Sequence, residues 1–264
     1  MILLKVGGGK DINWDFIAQD LKTLKEDVII VHGANAWMKD ISQKFGLEET
    51  FITSPSGHMS RYTDYKVIEM LTMVYSGLVN KKIVACLQKH SVNAIGLSGA
   101  DGKIWQGKRK DTILSVEKGK TKVVRDCLTG NVVSVNIKLL LSLLESNYVP
   151  VVTIPAITSD GKLINVDNDR AVAIMAKELR VKTVVMLFEA PGLLTDPADA
   201  TTLVARVKKE AVKEVMGQTS GRMKKKMLGV LECFDSGVEK IYFGDGRIAH
   251  PVQNALAGKG TVIS

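Results

Sequence analysis

Cysteine is scarce in this chain: Cys86, Cys127 and Cys233 are scattered over 264 residues. No C-x-x-C pair or histidine cluster accompanies them, so the spacing fits neither a disulfide framework nor a structural zinc site and leaves reduced core thiols. Aromatic residues make up only 5% of the chain. No helix-turn-helix, RNA-recognition or zinc-finger pattern is present, which argues against a nucleic-acid partner. No apolar run approaches the roughly 20 residues of a membrane span, and the first residues read as a strand rather than a secretion signal. These absences predict a cytoplasmic protein without a membrane partner.

Positive charge is in excess. Lysine and arginine number 36 against 28 acidic residues, a net charge of +8, which calls for an anionic partner. With nucleic-acid motifs missing, an acidic protein is the alternative. At 45% hydrophobic residues, the chain can bury a large core without an external staple.

The first ten residues set the frame. A short apolar run at residues 2–4 suits a buried parallel strand and leads through Lys5 and Val6 into Gly7, Gly8 and Gly9. Glycines there let backbone N–H groups face an anion with no Cβ in the way, and a neighbouring lysine adds a point charge. Asn13 is placed to cap a helix reaching about Glu26, and residues 27–32 form a second buried strand ending at Gly33. Two such turns side by side on a parallel sheet line a crevice at the strand ends. His32 reads as a structural histidine.

Further along, a turn-rich stretch gives way at Thr63 to a helix running to about His90, with Arg61 just before its start. Residues 92–97 are a strand. Residues 103–125 alternate apolar and polar around Glu117-Lys118-Gly119-Lys120, a hairpin pattern dense in lysine and arginine. A helix over 135–147 and a strand over 149–155 follow. Asn165, Asp167, Asn168 and Asp169 crowd one helix start, more polar residues than one cap needs. Residues 183–187 form a strand leading into Phe188, Glu189 and a Pro-Gly loop to Asp196. A helix is predicted over 204–216. The next helix carries Arg222, Lys224, Lys225 and Lys226 in its first turns, where the helix dipole disfavours cations; such a local conflict suits an anion site. Strands over 238–243 and 261–263 complete the sheet.

Taken in order, Lys5-Val6-Gly7-Gly8, Val31-His32-Gly33, Ser60-Arg61-Tyr62-Thr63-Asp64, residues 95–102, Asn165-x-x-x-Asp169 and Met223-x-x-Lys226 resemble the amino acid kinase family in its acetylglutamate kinase branch. The Ser-Arg-Tyr-Thr-Asp signature after Ser54-Pro55-Ser56-Gly57 is most similar to the [LysW]-aminoadipate/[LysW]-glutamate kinases, which act on an amino acid attached to a small acidic carrier protein.

The resemblance implies an α/β fold, an αβα sandwich with an open, mostly parallel central sheet. Residues 1–155 would bind the acyl substrate and dimerise, and residues 156–264 would bind ATP. It implies transfer of the γ-phosphoryl group of ATP, with Mg2+ on the nucleotide, to a side-chain carboxylate in lysine or arginine biosynthesis. No protein-ligated metal is expected. Lys5, Lys226 and Asp169 would be catalytic, the aspartate orienting the lysines. Gly33, Ala34, Asn35, Arg61 and Asn165 would bind the acyl substrate, and Gly7, Gly8, Phe188, Glu189, Asp196 and Met223 the nucleotide. The basic segment 103–125 would dock the acidic carrier. The alternative is an N-acetylglutamate kinase acting on the free acetylated amino acid; a more distant one is a non-enzymatic nucleotide or nucleic-acid binding protein. Arginine-sensitive acetylglutamate kinases carry an extra amino-terminal helix used for hexamer assembly. Its absence here predicts a homodimer without arginine inhibition by that route.

Two departures stand out. The family usually follows His-Gly with two more glycines, whereas Ala34 and Asn35 stand here. Phe188 and Glu189 replace the usual Ser or Thr and Asp.

Overall fold

The structure is a computed structural model describing residues 1–264 apart from Ser56, His58, Lys118 and Gly119. One residue of the Ser54–Gly57 turn and the expected tip of the basic hairpin therefore lie outside the described residues.

Among the described residues, eight strands form one sheet: β1 Ile2–Val6, β2 Val28–His32, β3 Ala94–Ser98, β4 Val149–Thr153, β5 Thr183–Phe188, β6 Arg206–Val207, β7 Lys240–Asp245 and β8 Thr261–Ile263. Their order across the sheet is β6-β8-β7-β5-β1-β2-β4-β3. All neighbours are parallel except β7 and β8. β1, β2 and most of β5 are buried throughout, as strands covered on both faces must be. Strands from residues 1–155 make one half of the sheet and strands from 156–264 the other, meeting where β1 pairs β5.

The helices are α1 Trp14–Thr23, α2 Asn35–Lys44, α3 Tyr65–Lys89, α4 Ile137–Glu145, α5 Asn168–Leu179, α6 Val212–Gln218, α7 Gly221–Asp235 and α8 Pro251–Leu256. They flank the sheet in two packed groups: α1 touches α3 and α8, and α5 touches α7. Asn13 caps α1 by accepting from the Phe16 N–H. Asp64, one residue later than expected, caps α3 by accepting from the Val67 N–H. The middle of α3, Thr72–Val79, is wound with wider π-type bonding. By length and composition α3 could cross a membrane, at a mean hydropathy of 1.2, contrary to the expectation that no segment approaches a membrane span. Here its buried side packs on β3 and β4 and against α1.

Two local expectations fail. Residues 204–216 do not form one helix. Their helical spacing of apolar residues is overruled at the sheet edge, where Arg206–Val207 pairs with β8, and α6 begins only at Val212. Residues 103–125 are not one hairpin. Trp105–Arg109 joins Gly130–Val135 in a second sheet with Ala156–Ile157 and Leu163–Ile164, because Trp105 is fully buried there. The hairpin is confined to Ile113–Glu117 and Lys120–Val124.

Candidate active site

The two glycine turns interlock. A Cβ on Gly8 would lie 2.4 Å from the Ala34 nitrogen and 2.5 Å from the Asn35 nitrogen, so only glycine lets the turn after β1 touch the turn after β2. The Gly33 N–H donates to Val6 O at 3.0 Å and the Ala36 N–H to Gly8 O at 3.0 Å. The Gly7 N–H is also occupied, donating to Leu187 O at 2.8 Å. It is therefore not offered to an anion. The N–H groups of Gly8 and Gly9 have no protein acceptor among the described hydrogen bonds, and they are the free donors of this turn.

Lys5 lies on β1 directly below that turn, 5% exposed, with its Nζ 2.6 Å from Asp169 Oδ1. Lys226, in the second turn of α7, places its Nζ 4.0 Å from Asp169 Oδ2. Two ammonium groups 221 positions apart in the chain thus share one carboxylate. Burial works against all three charges, and the outcome differs for each. Burial would lower the Lys5 ammonium, but the charge of Asp169, its hydrogen bond and the smaller contributions of Lys226 and Asp167 together outweigh it and the pKa is raised. For Lys226 burial wins, aided by the charge of Lys5 and only partly countered by Asp169, bringing its pKa down to about 8. Asp169 would be raised by burial, yet the two lysines hold it down to about 2. The carboxylate stays ionised, and Lys226 is the member of the three whose charge its surroundings favour least.

The four polar residues at the start of α5 have four separate tasks. Asp167 is the cap, accepting from the N–H groups of Asp169 and Arg170. Asn168 donates to His32 O at 2.8 Å, fastening the helix to the end of β2. Asp169 faces the lysines. Asn165 donates to Thr63 Oγ1 at 3.1 Å, joining the site to the start of α3. Gly229 lets α7 approach: a Cβ there would sit 2.9 Å from Asp169 Cβ. A glycine inside a helical pattern is the sequence signal that could have found it.

His32 is structural. It is buried, its Nδ1 lies 3.1 Å from Gly33 O and its Nε2 3.1 Å from Asn80 Nδ2, and burial holds its pKa down to about 4.

The departures at 34 and 35 are accommodated within the protein. Ala34 is fully buried, and Asn35 Oδ1 accepts from the Tyr75 hydroxyl at 2.7 Å. Tyr75 sits in the π-wound part of α3. Arg61 lies in the same region: its Nη2 is 3.1 Å from Glu49 Oε1, its guanidinium carbon is 5.6 Å from the Phe51 ring centroid, and its buried Nε has no partner. Sequence reading found Arg61 but not Glu49 or Tyr75, because nothing local ties them to it.

On the other side, the Phe188 ring faces Lys226 Nζ at 5.0 Å. Glu189 accepts from the Asp11 N–H at 3.0 Å and packs on Gly9, where any Cβ would strike its carboxylate. Met223 is half-buried in the first turn of α7. Asp196 is exposed, accepting from the Ala198 N–H, and no described contact joins it to the lysines. The structure thus gathers Lys5, Gly7, Gly8, Gly33, Ala34, Asn35, Asp169, Phe188, Glu189 and Lys226 about one strand edge. Arg61 and Asn165 stand to one side and Asp196 stands apart.

Comparison with known proteins gives a consistent result. The profile of the amino acid kinase family matches residues 1–245. The [LysW]-aminoadipate kinase of Deinococcus radiodurans is 43% identical over 267 residues, covering 100% of this chain and 91% of that protein. The [LysW]-aminoadipate kinase of Thermus thermophilus is 41% identical, with both covered completely. The [LysW]-aminoadipate/[LysW]-glutamate kinase of Metallosphaera sedula is 33% identical, again over 100% of both. Among solved structures, N-acetylglutamate synthase from Neisseria gonorrhoeae superposes with a TM-score of 0.80 at 18% identity, and this chain spans 59% of that chain's length. An isopentenyl phosphate kinase superposes at 0.65 and 18% identity over 100% of both chains. At such identities the structural likeness concerns the fold alone.

Proposed function

The chain belongs to the amino acid kinase family, and from that premise we propose that it transfers the γ-phosphoryl group of ATP to the side-chain carboxylate of α-aminoadipate carried on a LysW-type acidic protein. The relatives at 41–43% identity are named for aminoadipate alone, whereas relatives at 32–33% are named for aminoadipate and glutamate together. The observation that carries the reading is the sharing of Asp169 by Lys5 and Lys226 beside free glycine amides.

In this reaction a carboxylate oxygen attacks the γ-phosphorus, the bond to the β,γ-bridging oxygen breaks, ADP leaves and an acyl phosphate forms. The nucleophile is already ionised at neutral pH, so no general base is needed. The barrier comes from bringing an anion to a polyanion, and it is lowered by cations and positioning. Lys5 would meet the migrating group from the substrate side and Lys226 from the nucleotide side. Asp169 would orient both while remaining ionised. Gly8 and Gly9 would donate to phosphate, with Gly7 shaping the turn, and the segment Gly33, Ala34 and Asn35 would lie along the acyl substrate. Arg61 would take the substrate's α-carboxylate, its unpartnered Nε being the spare donor, and Asn165 the amide-linked end. Phe188, Glu189, Met223 and Asp196 would border the nucleotide.

The residues fit a triphosphate, since two buried ammonium groups lie beside glycine N–H groups that have no protein acceptor among the described hydrogen bonds. Asp169 is engaged by both lysines, so Mg2+ would arrive on the nucleotide and neutralise its phosphates. We place the substrate lobe and a homodimer contact within residues 1–155, the ATP lobe within 156–264, the carrier near 103–125, and the enzyme in the cytoplasm, in lysine biosynthesis. The test is ATP consumption with hydroxylamine trapping of the acyl phosphate, using carrier-linked aminoadipate, carrier-linked glutamate and free N-acetylglutamate in parallel. Turnover of the free compound alone would refute the proposal.

A further inference from the structure

We propose that Phe188 is a positioning residue for Lys226: its ring, fixed against Phe243, is the surface on which the Lys226 ammonium is held as a cation beside Asp169. The inference rests on the phosphotransfer reading above.

Phe188 ends β5 and is 7% exposed. Its ring meets that of Phe243 edge to face, centroids 5.3 Å apart at 80°. A Cβ on Gly7 would lie 3.4 Å from Phe188 Cβ, so the first glycine turn packs on the same side chain. The ring is thus fixed from the sheet and from the turn, and the face it presents lies 5.0 Å from Lys226 Nζ. That is cation–π distance. Packing alone would need an apolar side chain at 188 but not an aromatic one.

The charged groups around Lys226 are Asp169 and Asp167 from the start of α5 and Lys5 from β1, with Lys225 on its own helix acting on both aspartates. Burial and Lys5 favour the neutral amine, while the two aspartates oppose them. The quadrupole of the ring stabilises the cation, so its loss must lower the pKa of Lys226.

The test uses the whole protein as wild type, Phe188→Leu, Phe188→Met as a second apolar variant in case leucine does not fold, and Phe188→Tyr as the aromatic control. Competitive acetylation of the free protein across pH 6–10, read residue by residue by mass spectrometry, follows Lys226 without substrate. The midpoint should fall by about half to one pH unit in the apolar variants and stay near wild type with tyrosine. In the trapping assay, kcat of the apolar variants should fall about tenfold, again restored by tyrosine. Overlapping labelling curves for wild type and the apolar variants would overturn the role of the ring. Wild type without turnover on any acceptor would instead overturn the phosphotransfer reading, while the labelling still decides the ring–ammonium contact.

Discussion

Two aspartates in this molecule each hold two basic partners, and they differ in everything but geometry. Asp169 lies between Lys5 and Lys226 at 2.6 and 4.0 Å, all three side chains at most 14% exposed. Asp15 lies between Lys89 and His90 at 2.9 and 2.8 Å, with its own side chain 50% exposed and that of Lys89 70%. Both carboxyls are held at about 2, for different reasons. At Asp15, hydrogen bonds from His90 and Lys89 act with almost no burial to oppose them. At Asp169, two ammonium charges overcome a large burial penalty. Solvent screens the exposed cluster, so its loss costs little. In the buried one, each charge depends on the others, and removing one leaves an uncompensated ion.

The sharpest break in that comparison is the loss of a lysine. Lys5→Ala and Lys226→Ala should each lower kcat about 100- to 1000-fold, the range for a single preorganised electrostatic stabiliser, measured by acyl phosphate trapping. Activity near wild type in either variant would remove the buried cluster from the chemistry.

Next comes Asp169→Asn. It should cost roughly 3–5 kcal/mol of stability at pH 7, because two buried cations lose their counter-charge. The pKa of Asp169 is lowered on folding, from 3.8 to about 2. Its contribution is therefore complete above 3.8 and lost as pH falls through 2. Urea unfolding of wild type and variant at pH 7 and pH 2.5 should show the gap narrowing in acid. A constant gap would mean that the carboxylate charge is not what stabilises the cluster.

Salt sharpens the contrast from the exposed side. The basic strand Lys120–Val124 is solvent-facing over most of its length, so carrier docking there should weaken as the Debye length falls from about 10 Å at 0.1 M to about 3 Å at 1 M. The KM for carrier-linked substrate should rise at least several-fold over that range while kcat, set by buried lysines, changes much less. Equal salt sensitivity of both parameters would contradict this division.

The smallest effect is expected from Asp15→Ala, which should leave kcat at wild-type level and shift the thermal midpoint by no more than about 2 °C. A larger drop would show that the exposed cluster fastens α1 to α3 more firmly than its exposure suggests.

Much of this was legible in the linear chain. The short apolar runs ending in glycine became parallel strands with turns at one edge, and Lys5 with its glycines was identifiable because a strand fixes where the next residues point. Arg61 and Lys226 were legible as charges in unusual places. The errors have local causes. Residues 204–216 have helical spacing, but an open sheet edge supplied hydrogen-bond partners to Arg206–Val207. Trp105 stands in an alternating stretch that predicts a hairpin, but its bulk is buried in another sheet. The glycine turn predicts a free N–H at Gly7, but the Leu187 carbonyl occupies it.

The sequence by itself determined the buried strands and the glycine turns at their ends, since hydrophobic period and glycine placement act over a few residues. Tertiary structure alone decided which of four polar residues at one helix start meets the lysines, that Glu49 pairs with Arg61, and that Phe188 faces Lys226. Those contacts join segments tens to hundreds of residues apart. Their energies depend on burial and direction, which exist only once the sheet has brought the strand ends together.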